Sequence, residues 1–229
     1  MQRLFLALIS VFISASLFSA TAEPATAPAA GTPPVQAPGV RYDWQGNHRK
    51  AQAALAARDY KTAIQLFSDI LNSGRLPKPW LATTLFLRGK AYRSSKQYPL
   101  AIADYEAATQ TDVKLDVAFF ELGATYHAIG QYGKAVASFS QAIALKDNMW
   151  NYYDGRCSAF ASLTKYREAV RDCEVAVKLR PGNASLLAFL GRLYEETGQK
   201  QRAIETYKLA LTINPNQTDA RDGLAQLTK

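Results

Sequence analysis

The stretch LGRLYEETGQKQRAIETYKLALTINP, from Leu190 to Pro215, decides the fold. Gly191 stands inside it where a helix should be most regular, flanked by Leu190, Arg192, Leu193 and Tyr194. A glycine in a helix interior costs about 1 kcal/mol against alanine, so its presence asks for a packing reason.

That reason is a period of 34 residues. Stepping back from Gly191 reaches Cys157, Gly123 and Gly89, and the same step links Tyr92, Tyr126, Phe160 and Tyr194. It also links Ala101, Ala135, Ala169 and Ala203, then Tyr105, Phe139, Cys173 and Tyr207, then Ala108, Ala142, Ala176 and Ala210. Five positions held in phase over four copies define a repeat array. Each unit reads as two short helices. In DVAFFELGATYHAIG, Phe119, Leu122, Gly123 and Tyr126 share one face, and Gly130 follows as a helix-ending glycine. In the next helix Ala135, Phe139 and Ala142 form one stripe, and strand signals are absent. Small residues let the two helices of a pair approach, large aromatics fill the space beside them, and one pair alone cannot bury its face, so the units must stack.

The period and the pattern L-G-x2-Y…A-x3-Y/F…A…P resemble the tetratricopeptide repeat family. The resemblance covers five units, 44–81, 82–115, 116–149, 150–183 and 184–217, with residues 218–229 as a capping helix. The first unit is degraded. Ala63 and Phe67 fit its second helix, but Ala51 and Ala54 replace Gly and Tyr, and NSGRLPKPWL carries four extra residues. The resemblance implies an all-α, right-handed α-solenoid that binds a protein or peptide. Some members hold a carboxylate through a Lys/Asn/Arg clamp. The matching positions here are His48, Gln52, Gly155, Ser185 and Phe189, so that activity does not carry over.

Ahead of the array, residues 1–22 read as a secretory leader. Arg3 precedes the apolar run Leu4–Phe18, and Ala20-Thr21-Ala22 offers a cleavage site, with an uncleaved anchor as the alternative. Residues 23–43 hold five of the ten prolines and few large apolar side chains, which predicts a disordered tether. The mature chain has no other segment apolar enough to span a membrane, which takes about 20 residues. The expected location is the bacterial periplasm.

Composition narrows the chemistry. The 229 residues are 48% hydrophobic and carry a net charge of +8. Two His and two Cys, none at ligand spacing, predict no metal site, and no cofactor motif is present. Carboxylates are scattered without a pair that the repeat geometry unites, so the sequence predicts no catalysis. Residues 44–115 hold eleven Lys and Arg against five Asp and Glu. Nucleic acid is not the expected partner of a secreted chain with this charge. An anionic envelope polymer is the alternative to a protein partner.

Two site expectations follow. The first helices of tetratricopeptide units line a concave groove, and the stripe facing it here includes Phe86, Lys90, Arg93, Val117, Phe120 and His127. An apolar floor with a basic rim suits a peptide with a hydrophobic anchor beside an acidic residue, unless neighbouring helices or the tether cover both rings. In repeat four the stripe turns polar, with Asn151, Asp154 and Ser158, and in repeat five it offers Ser185, Ala188 and Arg192. Cys157 and Cys173 face the interior of repeat four about a helical turn out of direct opposition, as a disulfide or as two buried thiols.

Overall fold

The computed structural model describes residues 42–228, so the leader and nearly all of the proline-rich stretch lie outside the described residues. Eleven helices follow one another: α1 (Trp44–Ala56), α2 (Tyr60–Asn72), α3 (Lys78–Ser94), α4 (Tyr98–Thr111), α5 (Asp116–Ala128), α6 (Tyr132–Leu145), α7 (Trp150–Ser162), α8 (Tyr166–Leu179), α9 (Ala184–Glu196), α10 (Lys200–Ile213) and α11 (Thr218–Leu227). Each packs on the helix before and after it, and the chain forms a right-handed solenoid of five pairs closed by α11.

Local chemistry sets the ends. Asp43, Asp59 and Asn183 accept hydrogen bonds from backbone N–H groups in the first turns of α1, α2 and α9. Every pair turns through one left-handed residue. Gly130 and Gly198 supply it without strain, while Arg58, Lys96 and Thr164 take it at φ 62°, 64° and 58°. The hydrogen bonds are alike at each: Gln131 N–H reaches the Tyr126 carbonyl at 2.9 Å, and Lys165 N–H reaches that of Phe160 at 2.9 Å.

The core explains the helical glycines more sharply than alanine-lined helix contact does. A Cβ on Gly123 would lie 2.9 Å from the Phe139 ring, one on Gly89 2.8 Å from Tyr105, and one on Gly191 2.5 Å from Tyr207. The glycine makes room for the aromatic ring of the second helix. The next first helix repeats the device: a Cβ on Gly155 would lie 2.7 Å from Phe139, and one on Gly223 2.5 Å from Tyr207. Phe139 and Tyr207 are thus clasped between two glycines, and each ring joins its own pair to the following helix.

A second period of 68 residues overlies the first. Arg88 donates to both oxygens of Asp104 (2.7 and 2.8 Å) and to Ser68 Oγ at 3.1 Å. Arg156 repeats this with Asp172 (2.7 and 2.8 Å) and Ser140 Oγ at 3.0 Å. Repeats three and five place Leu122 with Ser138, and Leu190 with Thr206, at these positions. They are tied instead by Tyr126 donating to Glu106 and Tyr194 donating to Glu174. The arginine link from a first helix back to the preceding second helix therefore recurs at every other joint.

Candidate peptide groove

The side chains expected to form a groove in repeats two and three are mostly used by the fold. Phe120 stacks on Tyr152 at 5.0 Å and lies 5.7 Å from Phe139, while Phe86 tilts against Tyr105 at 6.0 Å. Both rings are half-buried and packed on other rings. Tyr152 of the next pair covers Phe120, while Phe86 meets Tyr105 of its own pair. Arg93 donates to Glu121 at 3.0 Å, which removes it from a free basic rim. Lys90 leans over the Phe86 ring and Val117 stays 37% exposed. His127 contacts Ser162 Oγ at 3.3 Å and the Tyr132 ring at 5.2 Å. His127 also lines a substantial depression of the surface.

The concavity lies further along, in repeats four and five. First helices touch one another along the array, α1 with α3, α3 with α5, α5 with α7 and α9 with α11, but α7 and α9 approach less closely. The sequence accounts for it. Repeat four has Cys157 in place of the glycine and Cys173 in place of the ring. At the site where α7 and α11 carry Gly155 and Gly223, α9 carries Phe189. The aromatic group of this layer has moved from the second helix to the next first helix.

Phe189 borders three adjoining depressions. One, between α7 and α9, is lined by Trp150, Asp154, Ser158, Ser185 and Leu186. The second, about 410 Å³, runs from His127 past Ser158, Ser162 and Tyr166 to Arg192 and Glu196. The third lies between α9 and α11, with Glu195, Asp219, Asp222 and Gln226. Phe189 is half-buried and carries the Arg192 guanidinium 5.0 Å above its ring. The lining charges invert the balance of the chain: five carboxylates (Asp154, Glu195, Glu196, Asp219 and Asp222) face one guanidinium.

Asp154, like the half-buried Glu168 of α8, lacks the partner that the other half-buried or buried carboxylates of the array have. Asp104 and Asp172 meet arginines, Asp116 accepts from Tyr152 at 2.7 Å, and Glu195 accepts from Tyr207. Asp154 has no hydrogen bond or ion pair among the described residues, and burial alone pushes its pKa above the usual carboxylate range. The stripe of Asp154, Ser158 and Arg192 was legible as polar. Phe189 was legible only as a missing clamp residue. Its signal is an aromatic ring at 189 between Gly155 and Gly223, in a series whose earlier members are Leu87 and Glu121.

The two cysteines are free and buried in this structure, on α7 and α8. Burial, first, and the neighbouring Cys173 thiol push the Cys157 thiol far up, away from the reactive thiolate. Among the described residues no group of three or more His, Cys, Asp or Glu could hold a metal ion, and no helix is long and apolar enough to cross a membrane.

Family comparison agrees with this architecture. Tetratricopeptide repeat models match residues 48–112, 117–149 and 161–227. The Hsp70-Hsp90 organizing protein 1 of Glycine max is 32% identical over 174 residues, which is 76% of this chain and 28% of that protein. The small glutamine-rich tetratricopeptide repeat-containing protein 2 of Mycosarcoma maydis is 29% identical over 94 residues, 41% of this chain and 27% of that one. The chain thus spans about a quarter of the length of these curated relatives. Among solved structures, MamA superposes with a TM-score of 0.69 at 21% identity, covering 75% of this chain and 92% of its own. YrrB, described as having an unusual peptide-binding site, superposes at 0.68 with 19% identity over 79% of this chain and 91% of its own. At those identities the likeness is one of fold. With the 34-residue register, the paired helices and three repeat models in agreement, the chain belongs to the tetratricopeptide repeat family.

Proposed function

We propose that this protein is a non-catalytic scaffold that holds a segment of another protein in the concave face of repeats four and five, in the bacterial cell envelope. The observation that carries the site is the chain of three depressions meeting at Phe189, which lies between the two glycine-clasped rings Phe139 and Tyr207. An aromatic side chain at the centre of a desolvated, elongated hollow is the common anchor of peptide interfaces. The envelope location rests on the leader pattern of residues 1–22.

A photo-crosslinking residue at Ser158 tests the groove, with the same residue at exposed Gln141 of α6 as control. Adducts specific to position 158 that vanish with Phe189→Ala support the reading; equal adducts at both positions reject it. Capture that survives Phe189→Ala but collapses in salt would move the site to the basic first two repeats and an anionic polymer. A phosphatase fusion at the C-terminus that stays inactive would reject the exported location.

A further inference from the structure

We propose that the depression formed by Trp150, Asp154, Ser158, Ser185 and Phe189 receives a lysine or arginine side chain of the bound segment, with Asp154 as its counterion. The inference rests on the groove reading above and adds the chemistry of the occupant.

A half-buried carboxylate without a partner is costly, because it loses solvation and gains no compensating charge. The rest of this array avoids that cost wherever a carboxylate is buried: Asp104 and Asp172 each have a two-point arginine. Asp154 sits on the same helix as Arg156, whose guanidinium is committed to Asp172 and Ser140 and leans toward the Tyr153 and Phe160 rings. Arg180 is placed over the Trp150 ring at 4.4 Å and Arg192 over Phe189 at 5.0 Å. None of these guanidiniums hydrogen-bonds or ion-pairs with Asp154 among the described residues, which leaves its carboxyl open to a cation of the bound segment.

The walls suit a long basic side chain. Trp150, Leu186 and Phe189 offer apolar surface for the methylene stem, and Asp154 meets the charged head. An acidic segment, by contrast, would face five carboxylates across the three depressions. The occupant is a peptide rather than a small amine because the depression opens past Ser158 and Phe189 into two more, which a lone amine would leave empty.

The test uses the full array and a positional-scanning library of acetylated, amidated octapeptides. Wild-type protein is expected to select Lys or Arg at one position beside an apolar residue. Asp154→Asn, which keeps size and shape, should weaken the selected peptides about tenfold and erase the basic preference while the apolar preference stays. Ser158→Lys, placing a cation at the same depression, should do the same. Selection of Asp or Glu, of no charged residue, or of Lys and Arg equally by Asp154→Asn overturns the counterion role and leaves the groove standing. Selection of no sequence, or binding indifferent to Phe189→Ala, removes the groove and this inference together.

Discussion

Phe139 lies so close to Gly123 that a methyl group on that glycine would stand 2.9 Å from its ring. Gly133, in the neighbouring helix α6, has open space around it. The pair sets up a controlled comparison. Gly123→Ala should cost about 1–3 kcal/mol, because an added methyl in a filled core forces the ring to move. Gly133→Ala should stabilise by about 0.5–1 kcal/mol through helix propensity alone. Urea denaturation followed by circular dichroism separates the two; equal effects would mean that the ring is not clasped.

The Arg156–Asp172 link can be dissected with the chain's own vocabulary. Asp172→Ala strands a mostly buried guanidinium and should cost about 2–4 kcal/mol. Arg156→Leu with Asp172→Ser installs the combination found at Leu122 and Ser138 of repeat three. The double variant should be more stable than the single one. A double variant at least as unstable as Asp172→Ala would show that the ion pair itself stabilises repeat four.

His48 gives the first repeat a pH dependence. It is 3% exposed, lies edge-on to Phe67 at 5.6 Å and Trp80 at 5.3 Å, and its Nε2 has no partner among the described residues. Burial lowers its pKa from 6.5, against a hydrogen bond with Gln52 that raises it. A histidine with a depressed folded pKa binds its proton more readily when unfolded. Its contribution is therefore fully favourable above pH 6.5 and is lost as the pH falls below that value. Melting temperature should fall between pH 7 and pH 5, and His48→Phe should flatten that part of the profile. An unchanged slope in His48→Phe would assign the acid sensitivity to other groups.

The thiols of Cys157 and Cys173 should resist alkylation in the native protein, since burial keeps both from solvent. Unfolding without reductant should release two reactive thiols. A count of zero would show that the exported protein carries the bond within repeat four.

The sequence made the array legible because its small and aromatic positions recur at one spacing, and the spacing survives wherever packing is the same. Helix α11 was legible for the same reason, as an apolar stripe that had to cover the last pair. The groove was not. Whether Phe120 was free or covered stayed open because a single repeat pattern states what lies within a pair, while Tyr152, which covers Phe120, comes from the pair after it. The recurrence of the arginine link at every other joint is likewise a relation between pairs, visible only once Ser68 and Ser140 are seen beside Arg88 and Arg156.

The seam at Phe189 also has a mechanical meaning. The joints of a stack of repeat units set its curvature, and α7 and α9 approach less closely than the other neighbouring first helices do. Glycine clasps hold Phe139 between α5 and α7 and Tyr207 between α9 and α11, so the slot lies between two clasped arms. A segment held in the slot draws the arms inward, so that spin labels at exposed Lys61 and Lys208 should move closer on binding. The curvature of the molecule then becomes a gauge of its occupancy.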